Sequence, residues 1–372
     1  MKIIWFSEIK WSYLRTRKQH ILSNFDASDE ILFIEPISFN LKNKFNISIE
    51  KNIKYITVPQ LQNSDIKILN YFIHFYPIKK LVEMISNFLM NRLLKKNNFK
   101  ADIIITSNVF WINYLKKMKN KNNLKIIYDC NDNPLAFANA INKKSYFNNT
   151  LKYSDHIVIP YKSYKNFISK KYYNKIISIS NGVDEDLISS KNNKLPIFKN
   201  IDNIIMYIGS IDTRIDYALI NYLASNLKDY NFVFIGDVKK QSRTQFNKIL
   251  NMKNVFHFNS IQYNEISHYL SHADLAIIPF LKNSLSQFIL PNKIFEYSIL
   301  EKPFIMTEFN SELKDLNSNF FIAKNEEQFK QLIIEQKQNP YDTKILKDFA
   351  LDYSWIKISQ QYQKFIQSII KK

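Results

Sequence analysis

Ile204-Ile-Met-Tyr-Ile-Gly209-Ser-Ile-Asp-Thr-Arg214-Ile-Asp216 reads as a buried strand, a small-residue turn and a helix start. Five apolar residues in a row suit a strand covered on both faces. Asn231-Phe-Val-Phe-Ile-Gly236 and Ile176-Ile-Ser-Ile-Ser-Asn-Gly182 repeat the theme, and they hold the other two of the chain's three glycines. A chain this poor in Gly keeps one mainly where a Cβ would clash or where backbone must approach something closely. Ligands of α/β proteins lie outside the carboxyl ends of the strands. Together the glycines therefore predict a ligand crevice in the second half, although each alone also reads as an ordinary turn glycine.

Working outward, β-rich runs alternate with helical patterns along the whole chain. In the first half, Ile3–Phe6, Ile31–Ile34, Ile103–Thr106, Lys125–Tyr128 and His156–Ile159 read as strands, with helices over Tyr13–Asn24, Pro77–Lys96, Val109–Met118 and Tyr161–Lys171. In the second half, strands at Ile204–Ile208, Phe232–Ile235, Val255–Phe258, Leu275–Ile278 and Phe304–Met306 alternate with helices near Asp216–Leu227, Gln241–Leu250, Asn264–Leu270, Lys293–Leu300 and Glu326–Gln336. Repeated βα units predict parallel sheets wound on both faces. Two sets of similar length predict an α/β protein of two Rossmann-like, doubly wound domains. The acidic and polar segment Asp184–Asn203 marks the junction, giving domains 1–183 and 184–354, with the terminal helix 355–372 packing back on the first.

Composition narrows the class. At 372 residues, 46% hydrophobic and 15% aromatic, the chain is globular rather than disordered. A lone cysteine, Cys130, excludes an intramolecular disulfide framework and fits a reducing compartment. No signal peptide is read at Met1–Glu8, and no run approaches the ~20 apolar residues of a membrane span. The expected setting is cytoplasmic. The net charge of +19 is uneven: residues 1–180 carry 29 Lys/Arg against 12 Asp/Glu, and the remainder is nearly balanced. Such asymmetry predicts that the first half meets something anionic: nucleic acid, a membrane surface or a phosphorylated substrate. Within that half, Ile78, Leu81, Met84, Ile85, Phe88 and Leu89 recur at helical spacing beside Lys79, Lys80, Arg92, Lys95 and Lys96. The pattern suits either a helix in an anionic membrane interface or a domain helix packing its stripe on a sheet.

Two constellations carry chemistry. In Gly209–Asp216, backbone N–H groups and Arg214 at a helix start suit a phosphate, and neither a Walker sequence nor a G-x-G-x-x-G is present. The second is Pro279-Phe280, followed by Pro291-Asn-Lys293-Ile-Phe-Glu296-Tyr297. Lys293 and Glu296, three apart, emerge from one face of a helix's first turn. The cation can hold a diphosphate and the carboxylate two ribose hydroxyls. A plain surface Lys–Glu pair would give the same spacing.

Four segments resemble GT-B glycosyltransferases of the group-1/family-four type, as found in bacterial capsule, O-antigen and teichuronic acid biosynthesis. They are Tyr128-Asp-Cys-Asn-Asp132, Ser180-Asn-Gly-Val-Asp184, Tyr207-Ile-Gly-Ser-Ile-Asp-Thr-Arg-Ile-Asp-Tyr217 and Pro291-Asn-Lys-Ile-Phe-Glu-Tyr297. Asp274-Leu-Ala-Ile-Ile-Pro279 and Trp355 add weaker support, and the likeness covers mainly Asp155–Trp355. The resemblance implies two domains facing each other across a cleft, with a nucleotide-diphospho-sugar donor held mainly by the second. Arg214 and Lys293 would hold the diphosphate and Glu296 the ribose. Gly209 and Ser210 would lie close to phosphate and sugar, and Gln262, Tyr263, Pro279 and Phe280 would border the base. The acceptor, a polyprenyl-diphosphate-linked or other oligosaccharide, would meet the first domain at the inner face of the membrane. Arg15, Arg17, Lys79, Lys80, Lys95 and Lys96 would lie on that acceptor and membrane side. No metal, other cofactor or nucleic-acid partner is implied; side-chain cations would stabilise the departing diphosphate.

One departure stands out. Retaining relatives carry a second glutamate eight residues before the ribose-binding one, and here that position is Phe288. In the first domain, Asp129 and Asp132 follow an apolar strand. Either could serve as the acceptor's general base, or both could shape an Asx turn or cap before Pro134. His20 and His156 read as structural, and the six histidines show no zinc-type spacing. Two other functions fit parts of the chain: a sugar-nucleotide 2-epimerase of the same fold, which needs more carboxylates around the sugar, and a basic nucleic-acid-binding protein, for which no recognised motif is present.

Overall fold

The structure, a computed structural model, describes all residues except 14, 39–40, 63–70, 136–142, 190–194, 284–285, 318, 340–341 and 372. Residue 14 of the expected first helix, 190–194 of the expected junction and 284–285 of the loop before Pro291 thus lie outside the described residues. The chain divides into two compact units, Met1–Asn181 with Trp355–Lys372, and Gly182–Ser354.

The first unit is built on eight strands: β1 (Lys2–Phe6), β2 (Glu30–Glu35), β3 (Ser48–Glu50), β4 (Ile53–Thr57), β5 (Ile103–Thr106), β6 (Lys125–Asp129), β7 (His156–Ile159) and β8 (Ile176–Ser178). Their order is β3-β4-β2-β1-β5-β6-β7-β8. All pairs are parallel except β3 with β4. Ile3 of β1 lies between Ile31 of β2 and Ile103 of β5, all fully buried. A central strand covered on both faces needs such an uninterrupted apolar run. The second unit holds β9 (Ile204–Ile208), β10 (Asn231–Ile235), β11 (Val255–Phe258), β12 (Leu275–Ile278), β13 (Phe304–Thr307) and β14 (Phe321–Ala323), in the order β11-β10-β9-β12-β13-β14 and entirely parallel. The α/β, doubly wound expectation holds for each unit.

Some elements differ from the sequence reading. Tyr161–Lys171 is not an α-helix but part of two 3₁₀ segments, Lys162–Phe167 and Lys170–Lys175. Ile168 and Ser169 between them are extended, which interrupts the i→i−4 ladder. Strand β4, the edge strands β3 and β14, and the helices Lys143–Tyr153 and Lys344–Asp352 add to the expected set. Their short or lysine-rich sequences carry weak periodicity.

Arg17, expected on the acceptor and membrane side, is instead an internal clamp. It opens the helix Arg17–Ser23, and its side chain is 4% exposed. Nε donates to Asp129 Oδ1 at 3.3 Å, Nη2 to the Ile179 carbonyl at 2.8 Å, and Nη1 to the Ser180 carbonyl. The guanidinium also lies 6.0 Å from the Tyr362 ring of the terminal helix Trp355–Ile370. Five fixed donors in a planar fork suit this many-sided role. Asp129 is therefore a buried ion-pair partner, 2% exposed, rather than a carboxylate at an open edge. Replacing Arg17 with Met leaves that carboxylate buried and unpaired, which should cost about 3–5 kcal/mol. A urea unfolding midpoint equal to wild type would refute the clamp.

Candidate functional site

In the second unit the chain runs from β9 outward to β10 and β11, then returns to β12 on the other side of β9. The loops after β9 and β12 meet at this reversal, the place beyond the strand ends where open α/β sheets bind ligands. They are also stitched together. The Asp216 N–H donates to the Pro279 carbonyl at 2.8 Å and the Leu281 N–H to the Arg214 carbonyl at 2.6 Å, around a bridge between Ile215 and Phe280. On the far side the Gly209 N–H donates to Ile235 at 2.8 Å and Ile211 to Asp237 at 3.0 Å.

Two of the three glycines are required here by geometry. Gly236 has φ +146°, and a Cβ on it would overlap the carbonyl of Gly209. Gly209 has φ +140°, and a Cβ on it would fall on the Lys293 side chain, at Cε and the ammonium. Both conformations are strained for any L side chain. Gly182 has no such φ. The sequence reading of three special glycines thus holds for two.

The ammonium so admitted lies 5.1 Å from the centre of the Tyr207 ring. That ring is held by its hydroxyl, which donates to the Ser210 carbonyl at 2.8 Å. Lys293 and Glu296 sit on the short helix Lys293–Ile299, both half-buried. Tyr297 of the same helix anchors it to the sheet, its hydroxyl accepting from the Ile208 N–H at 3.1 Å. Burial lowers the Lys293 pKa to about 8; Arg214 pushes the same way, while Glu296 and Asp212 oppose it. Burial raises the Glu296 carboxyl above its ordinary range, with Asp184 adding to the rise and Lys293 opposing it. Among the described residues the two feel each other's charge without a hydrogen bond between them. They are not the plain surface pair that the spacing also allowed. A half-buried ammonium and carboxylate, side by side without mutual contact, form a site that an anion and a pair of hydroxyls can complete.

Arg214 enters differently. It is already held in a bidentate pair, Nε to Asp212 Oδ1 at 2.9 Å and Nη2 to Oδ2 at 2.6 Å, and lies 5.3 Å from the centre of the Phe280 ring. Burial alone would raise the Asp212 pKa, but Arg214 overrides it and holds the carboxyl below its ordinary value. Asp212 and Tyr207 were not singled out from the sequence; an aromatic two residues before Gly209 was the available signal. Phe280 is 1% exposed, so it supports Arg214 from beneath and offers no face to a base, and Pro279 is buried with its carbonyl engaged by Asp216. Gln262 and Tyr263 follow β11, at the sheet edge beyond β10, with Gln262 exposed and Tyr263 half-buried.

The first unit has its own reversal between β1 and β5. There a cavity of about 240 Å³ is lined by Glu8, Gln60, Asn108, Tyr128, Asp132 and Lys143, among others. Burial would raise the Glu8 pKa, but the buried Lys18 ammonium beside it brings the carboxyl below its ordinary value. Of the two aspartates singled out, Asp132 reaches this cavity and Asp129 does not. Arg15 is exposed. Lys79 lies 4.6 Å from the Tyr146 ring centre and Lys80 5.1 Å from that of Tyr76, while Lys95 and Lys96 are exposed.

Residues 202–339 match the model of the family described as glycosyl transferases group 1, which bears out the resemblance seen in the sequence motifs. TuaH of Bacillus subtilis (strain 168), a protein assigned to teichuronic acid biosynthesis as a glycosyltransferase, is 27% identical over 144 residues. That match covers 38% of this chain and 36% of TuaH, so the chain spans about a third of the curated relative it matches. Among solved structures, sucrose-phosphate synthase of Thermosynechococcus elongatus covers 100% of both chains with a TM-score of 0.75 at 10% identity. HepE of Anabaena, solved in complex with UDP-glucose, covers 98% of this chain and 99% of its own, with a TM-score of 0.66 at 13% identity. These likenesses show the fold, which is GT-B.

Two measurements test the site. Gly236→Ala should destabilise the second unit by about 2 kcal/mol, lowering Tm by about 5 °C, and should displace the Gly209 backbone; an unchanged Tm would show that the loop yields without cost. Lys293 attracts an anion only while protonated, so affinity for a nucleoside diphosphate should fall as pH rises from about 7 to about 9, by up to about tenfold per unit above the lysine's pKa. A pH-independent affinity, or the same profile in Lys293→Met, would assign the anion to another group.

Proposed function

We propose that this chain is a glycosyltransferase that moves a sugar from a nucleotide-diphospho-sugar, held by its second unit, onto a growing surface polysaccharide or lipid-linked oligosaccharide met by its first unit. The work would take place at the cytosolic face of the membrane. The observation that carries this reading is Lys293: a half-buried ammonium over Gly209 at the reversal point of the sheet, with the Glu296 carboxylate one turn on.

In the transfer, an acceptor hydroxyl oxygen bonds to the anomeric carbon as the bond from that carbon to the diphosphate oxygen breaks. The electron pair leaves with the diphosphate, and Lys293 meets the growing negative charge from a fixed, partly desolvated position. Arg214, steadied by Asp212 and Phe280, supplies a second cation at the same loop. Glu296, ionised, accepts hydrogen bonds from the ribose hydroxyls. The acceptor's proton passes to a base on the first unit, and Asp132 is the expected aspartate that reaches that unit's cavity. With cations supplied by side chains, the reaction is proposed to need no metal. The nucleotide-sugar class is supported by HepE, whose solved complex holds UDP-glucose.

The test is a thermal-shift panel of UDP-, GDP-, dTDP- and CMP-linked sugars. A rise in Tm with one diphosphate family is expected, with affinity weakened about tenfold or more in Glu296→Ala, the loss of one charged hydrogen bond. Lys293→Ala should weaken it and abolish turnover while leaving the fold intact. No shift with any donor, or full binding and turnover in Lys293→Ala, would overturn the reading.

A further inference from the structure

The apolar stripe of the helix Tyr76–Lys96 does not face the sheet. Leu81 is 51% exposed, Met84 62%, Ile85 42% and Phe88 62%, and of the whole helix only Ser86 and Met90 are buried. At helical spacing Leu81, Ile85 and Phe88 fall in line with Arg92, and Lys95 and Lys96 follow in the last turn, so the apolar ridge runs into a basic end. Beside that end lies a groove of about 490 Å³ between the helix and the residues around β4. Ile56, Val58, Leu89, Leu93, Phe45 and Ile47 make its apolar lining, and Arg92 and Lys96 also border it.

We propose that this face seats an anionic lipid surface. The ridge Leu81–Phe88 enters the boundary between headgroups and acyl chains. The groove takes one lipid chain, whose charged head is held by Arg92 and Lys96. Charge selects the occupant. Residues 1–180 carry 29 Lys/Arg against 12 Asp/Glu, so a second copy of this chain would bring an equally basic surface against the same ridge. An exposed apolar ridge bordered by cations is the pattern that gains both from acyl contact and from an anionic leaflet. The inference gives a location to the lipid-linked acceptor proposed above, and its test does not depend on the donor site.

The full chain is sedimented with phosphatidylcholine vesicles that contain or lack phosphatidylglycerol. Binding only to the anionic vesicles is expected, weakening with added salt. Arg92→Glu with Lys96→Glu should reduce the partition coefficient about tenfold or more, as should Met84→Glu with Phe88→Glu, with nucleotide-sugar thermal shifts unchanged in all variants. Cys130 is buried and is the only cysteine, so Met84→Cys can carry an environment-sensitive dye, with Asn247→Cys on the second unit as the control. A blue shift at position 84 alone, on adding anionic vesicles to the folded protein, supports the seat independently of the charge variants. Three outcomes overturn it: equal binding to neutral vesicles, no change at position 84, or a dimer that Met84→Glu dissociates in the absence of vesicle binding. A donor shift that persists alongside any of these would leave the transferase reading standing.

Discussion

The candidate donor site depends on two missing methyl groups. Gly236 lets the Gly209 carbonyl approach it, and Gly209 leaves the volume in which the Lys293 ammonium sits. The three residues come from the ends of β10 and β9 and from the helix after β12, so their contact joins the loops on both sides of the reversal point. On the loop after β9, Arg214 pairs with Asp212 and lies over the Phe280 ring. An ammonium in this position is held at a cost, since burial disfavours its charged form and lowers its pKa to about 8. In the proposed donor complex, the charge of the diphosphate would offset that desolvation.

The first unit shows what a cation looks like when its task is structural. Lys10 and Glu35 pair at 2.9 Å with side chains 1% exposed, and Thr57 and the Trp11 N–H complete the carboxylate's bonding. Lys18 pairs with Glu8, and Arg17 with Asp129 and two carbonyls. Each of these buried charges is answered within the unit, as the interior demands. Lys293 is answered by an aromatic face and by a carboxylate it does not touch. Environment, not residue type, separates the two kinds of lysine.

That distinction also marks how far the sequence could be read. Apolar runs such as Ile204–Ile208 and Ile103–Ile105 announce central parallel strands because they suit burial on both faces. The order of βα units then places the reversal points. Gly209 and Gly236 were visible because a Gly-poor chain rarely keeps one without a steric reason. The buried ion pair of Asp129 with Arg17 was hidden in the sequence for an equally physical reason. A carboxylate after an apolar strand looks the same whether it faces a cleft or a buried guanidinium, and its partner Arg17 lies 112 positions away. Phe280 likewise gave no sign that a cation would cover its ring.

The helix Tyr76–Lys96 shows a limit of periodicity itself. Two stripes satisfy helical spacing: Leu81, Met84, Ile85 and Phe88, and, roughly opposite, Val82, Ser86, Met90 and Leu93. The first is the more hydrophobic, and pattern alone allows it to face either a sheet or a membrane interface. The structure turns it out because the second stripe carries the specific anchors. The Ser86 hydroxyl lies within hydrogen-bond distance of the Pro59 and Val82 carbonyls, Glu83 next to this stripe accepts from Tyr146 and Asn113, and Met90 is buried. Buried polar anchors need partners with defined geometry, whereas an apolar ridge accepts any apolar surface. The ridge is therefore the side that can be left for something outside the chain, and the cations at its end restrict what that is.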